Sequence, residues 1–406
     1  MQTNFTAEQL EDSHTKRANK ILRSCVHCGF CTATCPTFQV LGDELDSPRG
    51  RIYLMKQMLE GHSVSRKTQV HLDRCLSCRS CETTCPSGVQ YGRLIDIGRE
   101  LIDQQVTRSF FTRLQRYVLQ KILPYPKRFS CLLKPVQYFK PLLPTSIKQK
   151  IPHKQNNTSW PAQTKLRKML VLQGCVQSVT TPNTNSATAN ILNKLGIDLI
   201  TAKEAGCCGA VSQHLSAKHE ALDFMRNNID AWWPFIEQGV EALVMTASGC
   251  GVMVKEYVDL LKNDPEYADK AKKVSELAKD ISEILTEENL TKDHFKLSTQ
   301  KIAFQNPCSL QHGQQLNGVV ESLLKQYGFT LTQIDDAHLC CGSAGTYSIL
   351  QKKLSQQLLD NKLATLQKHQ PDLIVSANIG CQLHLQSQSN VQVKHWVELL
   401  NEHLKV

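Results

Sequence analysis

The sequence of 406 residues lacks a membrane-spanning run, because no window approaches the roughly 18 uninterrupted apolar residues that a span needs. Its polar N-terminus, MQTNFTAEQLEDSHTKRANK, has neither the basic start nor the apolar centre of a secretion signal. These absences predict a cytoplasmic chain in a reducing environment. The seventeen cysteines are therefore not expected to form disulfides, and metal binding or redox chemistry becomes their leading explanation.

Motifs for nucleotide chemistry are also missing. The chain has no G-x-G-x-x-G fingerprint, no Walker loop and no acid–base pair that stands out. These absences argue against a dinucleotide site or a nucleotide-hydrolysing site. We therefore predict no catalytic residue on this chain.

Acidic residues are absent from one long segment. Between Asp103 and Asp198 there is no Asp or Glu but there are fifteen Lys and Arg, so the formal net charge of +10 arises from this basic belt, residues 104–197. Seven of the fifteen prolines lie between Pro124 and Pro161, which indicates a connector of low regularity. Its stretch SFFTRLQRYVLQKIL predicts an amphipathic helix that lies on an anionic membrane, docks on an acidic partner or packs on its own protein. No nucleic-acid-binding module accompanies the charge, and no nucleic-acid partner is expected.

Two short cysteine runs share one spacing. CVHCGFCTATCP begins at Cys25 and CLSCRSCETTCP begins at Cys75, and both follow C-x2-C-x2-C-x3-C-P. This is the ligand run of a bacterial two-cluster ferredoxin, in which the fourth cysteine of each run ligates the other cluster. Zinc sites instead use two separated pairs, so zinc is disfavoured. The runs predict two [4Fe–4S] clusters, one at ferredoxin site 1 (Cys25, Cys28, Cys31 and Cys85) and one at ferredoxin site 2 (Cys75, Cys78, Cys81 and Cys35).

Four arginines stand near these runs in the sequence: Arg49, Arg51, Arg74 and Arg79. Positive charge close to a cluster favours its reduced form and raises its reduction potential. Each arginine taken alone has the simpler explanation of an ordinary surface charge.

A second duplication occupies the rest of the chain. Cys175 precedes Cys207-Cys208-Gly209 by 32 residues, just as Cys308 precedes Cys340-Cys341-Gly342, and a single further cysteine follows each unit. The apolar runs LVLQGC, ALVMTASGC, KIAFQNPC and LIVSANIGC are typical of buried parallel strands, with helical patterns between them. Two α/β units are therefore predicted, with their thiols at the carboxyl edges of the sheets. We call the two groups CCG set 1 (Cys175, Cys207, Cys208 and Cys250) and CCG set 2 (Cys308, Cys340, Cys341 and Cys381).

Together these features resemble the iron–sulfur subunits of flavin-linked dehydrogenases and heterodisulfide reductases. The likeness is strongest to the iron–sulfur subunits of bacterial glycolate oxidase (glycolate dehydrogenase), and it includes the segments EAGCCGAV, TASGCGVMVKEY and HLCCGSAGTYSIL. The resemblance implies a complex in which FAD-containing subunits oxidise glycolate to glyoxylate. This chain would carry the electrons towards a membrane quinone, attached peripherally to the inner face of the cytoplasmic membrane.

One departure from the heterodisulfide-reductase pattern bears on the metal sites. In those relatives each CCG unit ends in C-x-x-C, whereas Ala247 and Asn378 replace the first cysteine of that pair here. Each set thus offers four thiols, which suffice for a further [4Fe–4S] cluster or a zinc ion. Disulfide-reducing catalysis is correspondingly disfavoured. His312 and His384 follow Cys308 and Cys381 at helical spacing and are weaker metal-facing candidates.

The sequence thus predicts an α+β multidomain fold, with a helical two-cluster ferredoxin domain followed by a duplicated α/β cysteine-rich region. The expected boundaries are 1–103 for the ferredoxin-like domain, 104–166 for the basic Pro-rich connector, 167–297 for the first CCG unit and 298–406 for the second. The leading hypothesis is an electron-transfer subunit of a flavin-dependent glycolate dehydrogenase complex. The alternatives are the equivalent subunit for lactate or glycerol 3-phosphate, a heterodisulfide-reductase-like thiol redox subunit, and an iron-sensing scaffold.

Overall fold

The computed structural model describes residues 1–144, 148–149, 151–155 and 158–405. These residues form two compact units. The first unit is Met1–Arg116 with His338–Lys362, and the second is Tyr117–Ala337 with Leu363–Val406. The segment His338–Lys362 lies within the predicted second CCG unit, so part of that repeat folds with the ferredoxin-like region.

The first unit is helical, and its core contains Leu22, Met55, Leu72, Leu94 and Ile95, all fully shielded from solvent. A short 3-10 turn covers Glu44–Asp46. Two long helices, Phe110–Ile122 and Lys352–Gln367, begin in this unit and end in the second. The remaining helices of the first unit are Ser13–Ser24, Phe30–Ala33, Pro36–Leu41, Pro48–Leu59, Arg66–Asp73, Ser80–Thr83, Tyr91–Gln105 and Tyr347–Leu350.

Two prolines mark helix starts beside the first cysteine run. Pro36 begins the helix Pro36–Leu41 and Pro48 begins the helix Pro48–Leu59. The first turn of a helix leaves its amides unpaired, so a proline loses no hydrogen bond there. Cys35 consequently stands directly before a helix, which fixes where its thiol can point.

The second unit contains two parallel sheets of four strands each. The strands are β1 (Arg167–Val171), β2 (Ile197–Thr201), β3 (Leu243–Met245), β4 (Ala278–Asp280), β5 (Lys301–Gln305), β6 (Thr330–Leu331), β7 (Leu373–Ser376) and β8 (Val393–His395). Their orders are β2-β1-β3-β4 and β6-β5-β7-β8, so the second sheet repeats the first. The helical first unit and these duplicated α/β sheets confirm the predicted fold class.

Helices cover these sheets, and two 3-10 turns span Lys140–Leu142 and Lys292–His294, with a π-helical turn at Ser309–Gly313. The α-helices of the second unit are Pro126–Tyr138, Gln177–Thr180, Asn183–Lys194, Ala210–His214, Lys218–Glu237, Ser248–Lys255, Tyr257–Leu260, Ala268–Leu277, Ile281–Glu287, Val319–Gln326, Ile379–Gln386 and Trp396–His403.

The central strands are mainly apolar because both faces of each sheet are covered. All residues of β3 and of β7 are buried. Leu170 of β1 pairs with Leu243 of β3, and Ile302 of β5 pairs with Leu373 of β7. The register is equivalent in both sheets. In the first sheet it brings the chain segments after β1 and β3 to the same edge, and in the second sheet it does the same for the segments after β5 and β7.

One hydrophobic core serves both sheets. It includes Val171 and Val244 of the first sheet, Ile302 and Val375 of the second, and the fully buried Trp396. Apolar side chains from both repeats are buried in the same core, so each sheet contributes to the stability of the other.

The start of the helix Pro48–Leu59 yields a test of packing. A Cβ atom on Gly50 would lie 2.0 Å from the carbonyl oxygen of Glu44, a backbone atom that cannot rotate away. We expect Gly50→Ala to separate this helix from the Glu44–Asp46 turn and to cost about 1–3 kcal/mol of unfolding free energy. Thermal unfolding followed by circular dichroism measures the loss.

Gly206→Ala is the matched control, because the nearest atom to its added Cβ would be a side-chain nitrogen 3.9 Å away. Equal melting temperatures for the two variants would contradict this account of Gly50.

Candidate metal centres

The four cysteines of ferredoxin site 1 line one cavity of about 420 Å³, although they come from two distant runs. Cys25 follows the helix Ser13–Ser24, Cys31 lies in the helix Phe30–Ala33, and Cys85 follows the helix Ser80–Thr83. Cys28 is the exposed member of this group. The short loop thus supplies three thiols and the second run supplies the fourth.

The four cysteines of ferredoxin site 2 line a neighbouring cavity of about 300 Å³, which also touches Thr37, Arg51 and Tyr91. Here Cys35 comes from the first run and the other three from the second. Cys35, Cys75 and Cys81 are buried, and Cys78 is half-buried. The crossed arrangement of the two runs therefore gives each cavity the four thiols of one ferredoxin site, and Cys81 lines both cavities.

Both loops reach this arrangement through the same backbone. His27 and Ser77 occupy equivalent positions with φ of 56° and 52°, and Gly29 and Arg79 follow with φ of 87° and 61°. Alternating left-handed residues turn backbone amides towards the cavity, as in other anion-binding loops. The amide of Ser77 accordingly donates to Sγ of Cys75 at 3.4 Å.

The protonation of these thiols suits a metal group. Burial raises the pKa of Cys31 to about 11, and burial also raises the pKa of Cys25 and Cys81. Such thiols stay neutral without a cation and release their protons when a metal binds. Four thiols around one largely apolar cavity fit the soft-ligand chemistry of an iron–sulfur cluster.

CCG set 1 gathers completely within the second unit. Cys175 follows β1, Cys207 and Cys208 follow β2, and Cys250 lies in the helix after β3. Hydrogen bonds to Cys175 and Cys208 raise the pKa of Cys207, whereas hydrogen bonds from Cys207 and Cys250 lower the pKa of Cys208. Four thiols in contact, with one of them favoured as thiolate, make a natural soft-metal site.

The glycine of each Cys-Cys-Gly step has a structural reason. Gly209 and Gly342 have φ of 90° and 86°, and their amides lie 3.5 Å and 3.4 Å from Sγ of Cys207 and Cys340. A Cβ on Gly342 would lie 2.7 Å from the carbonyl oxygen of Ser355, and one on Gly209 would lie 3.0 Å from that of Ala221. A side chain at either glycine would therefore clash with the neighbouring helix and displace the loop that carries the cysteine pair.

Two residues that hold this loop were not predicted from the sequence. Asn228 donates to the carbonyl oxygen of Cys207 at 2.8 Å, and Tyr257 donates to that of Cys208 at 2.9 Å. Both side chains are fully buried. Their segments, RNNIDAWW and VKEY, carried no spacing signal, because the contacts form only after the helices pack.

CCG set 2 is divided between the two units. Cys340 and Cys341 are buried in the first unit, whereas Cys308 and Cys381 belong to the second. In the second unit, the side-chain amide of Asn378 donates to Sγ of Cys381 at 3.6 Å. Whether CCG set 2 binds one metal stays a prediction.

The two histidine candidates lie on the second repeat. His312 is buried in the π-helical turn Ser309–Gly313, which begins directly after Cys308. His384 lies in the helix Ile379–Gln386. Their predicted role as metal-facing residues stays a prediction.

The positions that lack a fifth cysteine contribute to the contact between the repeats. The carboxamide oxygen of Asn378 accepts from the amide of Gly249 at 3.2 Å. The amide of Ser248, next to Ala247, donates to the carbonyl oxygen of Ala377 at 3.1 Å. This part of each repeat therefore stabilises the pairing of the sheets.

Comparison with family models supports both cysteine regions. A model described as a 4Fe-4S dicluster domain matches residues 21–89, and one described as a cysteine-rich domain matches residues 169–255 and 302–386. The dicluster match supports iron–sulfur clusters as cofactors and electron transfer as the role of the chain.

Curated relatives extend the likeness to the whole chain. The glycolate oxidase iron-sulfur subunit of Escherichia coli (strain K12) is 53% identical over the full length of both chains. This chain belongs to the family of glycolate oxidase iron–sulfur subunits. A probable glycolate oxidase iron-sulfur subunit of Bacillus subtilis (strain 168) is 30% identical, over 99% of this chain and 98% of that protein. Lactate utilization protein A of the same organism is 26% identical over 56% of this chain and 96% of its own length.

Membership in this family confirms the predicted resemblance and the predicted class, an iron–sulfur component of an oxidoreductase that works with other subunits. Among solved structures, a crystal structure of a hypothetical protein from Helicobacter pylori aligns with a TM-score of 0.55 at 10% identity. It covers 99% of this chain and 73% of that one, and it supports the fold alone. Within the described ranges, none of the helices combines the length and apolarity that a bilayer crossing requires.

The cavity geometry predicts which cysteines control metal content. We expect Cys78→Ser to lower the iron and acid-labile sulfide of anaerobically purified protein by about four atoms each per chain. Elemental analysis and a sulfide assay measure the loss. Cys131→Ser is the control, because Cys131 is exposed and lies outside both ferredoxin sites and both CCG sets. Equal metal contents in the two variants would remove Cys78 from the ligands.

Proposed function

We propose that this chain is the electron-transfer subunit of a flavin-dependent glycolate dehydrogenase complex, which oxidises glycolate to glyoxylate. The observation that carries the proposal is the end-to-end likeness to glycolate oxidase iron-sulfur subunits, combined with two adjacent cavities that each contain the four cysteines of one ferredoxin site. Removing two electrons from a 2-hydroxy acid suits a flavin, and we place that FAD on partner subunits.

In this proposal each ferredoxin site holds one [4Fe–4S] cluster through its four cysteines. When bound, such clusters accept and release single electrons. The protein's own contribution is to supply deprotonated thiols, to exclude water from the cavities by burial, and to direct backbone amides at the sulfur atoms. CCG set 1 holds a further cluster or a zinc ion, since hydrogen bonds link Cys175 to Cys207, Cys207 to Cys208 and Cys208 to Cys250.

Ferredoxin site 1 is the better candidate for receiving electrons from the flavin subunits. Its Cys28 is exposed, and the neighbouring Val26 and Phe30 are large apolar side chains that face solvent. An apolar rim around an exposed ligand suits contact with a partner protein.

We further propose that the complex attaches peripherally to the inner face of a bacterial membrane, where a quinone takes up the electrons. The helix Phe110–Ile122 turns its apolar side outwards, with Phe110 71% and Phe111 80% exposed and with Leu114, Tyr117 and Val118 beside them. Residues 104–197 contain no acid, although two bases of this helix pair with acids from outside that range, Arg116 with Asp103 and Lys121 with Glu220. Exposed aromatic residues among lysines and arginines are typical of helices that lie on anionic lipid.

A second candidate is the equivalent subunit for another 2-hydroxy acid. The likeness to lactate utilization protein A, which spans 56% of this chain, favours lactate as that alternative. Glycerol 3-phosphate has no comparable support among these relatives.

The substrate is tested with the intact complex, purified without oxygen. We expect glycolate to bleach the visible absorption of the iron–sulfur clusters. The kcat/KM values for lactate and glycerol 3-phosphate should be lower by at least about tenfold, which corresponds to about 1.4 kcal/mol less transition-state stabilisation. The isolated chain should oxidise none of the three, because no catalytic residue is expected on it. Turnover of glycolate by the isolated chain, or equal bleaching by lactate, would contradict the proposal.

The membrane surface is tested by co-sedimentation with vesicles. We expect the chain to bind vesicles that contain phosphatidylglycerol more strongly than phosphatidylcholine vesicles, and the double variant Phe110→Ser/Phe111→Ser to lose most of that binding. Leu297→Ser is the control, because Leu297 is 97% exposed but lies outside the basic belt. Unchanged binding of the double variant would exclude this face as the lipid contact.

A further inference from the structure

Ferredoxin site 2 has a buried guanidinium group beside it. Arg51 is 1% exposed, and its Nε donates to the carbonyl oxygen of His71 at 2.7 Å. Its Nη1 lies 3.1 Å from Oγ1 of Thr37 and 4.0 Å from Sγ of Cys35. A charge in the protein interior is costly unless its donors find acceptors, and Arg51 meets that requirement.

The charge of Arg51 differs from those of its neighbours in its burial. The fully buried Asp46 accepts from Arg51 at 3.2 Å and from Arg74 at 2.7 Å, and Nδ1 of His71 and the exposed carboxylate of Asp43 also lie close to it. Arg74 and Asp43 reach solvent, so Arg51 is the fully buried positive charge next to ferredoxin site 2. Because the surroundings are shielded from water, this charge acts more strongly than a surface charge would.

Two hydroxyl groups also lie beside sulfur atoms of this site. The hydroxyl of Tyr91 donates to Sγ of Cys75 at 3.7 Å, whereas the hydroxyl of Thr37 lies 3.3 Å from Sγ of Cys35 and donates to the carbonyl oxygen of Asp46 at 3.1 Å. Hydrogen bonds to ligand sulfurs stabilise the reduced, more negative form of a cluster.

Ferredoxin site 1 has a different electrostatic environment. The arginine that lines its cavity, Arg49, is 36% exposed and pairs with Glu44 at 2.8 Å. His27 lines the same cavity. The ammonium group of Met1 donates to the carbonyl oxygen of Cys25 at 2.5 Å from a half-exposed position. Exposed charges are screened by water and salt, so they influence this site less than Arg51 influences site 2.

We propose that Arg51, with Tyr91 and Thr37, holds the group at ferredoxin site 2 at a higher reduction potential than the group at ferredoxin site 1. Electrons then run from site 1 to site 2. Transfer of one electron oxidises the group at site 1 and reduces the group at site 2, with no bond or proton exchanged. The electrons come from the reduced flavin of the partner and leave to a quinone. The inference rests on the proposed function.

One hydrogen bond joins the neighbourhood of site 2 to the part of the second repeat that belongs to the first unit. The hydroxyl of Tyr347 donates to the carbonyl oxygen of Arg74, the residue before Cys75, at 3.0 Å. Tyr347 lies in the segment His338–Lys362, which also contains Cys340 and Cys341.

The test is a redox titration of the anaerobically purified chain, followed by electron paramagnetic resonance. We expect two midpoint potentials, and we expect Arg51→Met to shift the higher one to more negative values while the lower one stays in place. Tyr91→Phe should shift the same signal less far, and it remains informative if Arg51→Met does not fold. Arg49→Met is the matched control and should move the site 1 signal only slightly.

The outcomes separate this inference from the proposed function. If two [4Fe–4S] signals are present but Arg51→Met and Tyr91→Phe leave both potentials unchanged, the inference is overturned and the proposed function stands. The inference is equally overturned if the variants shift the lower potential. If the wild-type chain lacks two such signals, the proposed function itself fails.

Discussion

Bringing four thiols to one cavity and keeping water out of it is the constraint on which the rest of this structure depends. A loop with two residues between its cysteines supplies three thiols, so each ferredoxin cavity takes its fourth from the other run. The two runs are thereby tied together, and the helices between them have to pack as one core. The left-handed residues His27 and Ser77 and the helix-initiating Pro36 are local consequences of that requirement.

The α/β repeats meet the same constraint by another route. Their thiols come from the ends of parallel strands, so the sheet brings together residues that are far apart in sequence. Close packing of Gly209 and Gly342 against helices then sets the position of each cysteine pair. Because the two sheets share one core, Asn378 can serve the contact between the repeats, a role that a further metal ligand at this position would not fill.

Cysteine spacing and apolar runs were enough to predict the helical ferredoxin region and the duplicated parallel sheets. They could not distinguish Arg51 from Arg49, because that difference depends on which residue the helix Pro48–Leu59 turns inwards. Tyr91, Asn228 and Tyr257 were missed for the same reason, since their partners are brought close only by tertiary packing. Nor does the sequence reveal that His338–Lys362 folds with the first unit, because that segment follows the repeat pattern of the second.

The positive charges of this chain lie in two different environments, and the local dielectric decides how strongly each charge acts on its surroundings. Arg51 is enclosed by protein, so its field reaches the adjacent sulfur atoms with little screening and hardly depends on salt. The exposed lysines and arginines of the basic belt act through water, where salt screens them over about 8–10 Å. The same residue type can therefore set a reduction potential in one place and guide attachment to an anionic surface in another. Raising the ionic strength should weaken the second effect while leaving the first largely intact.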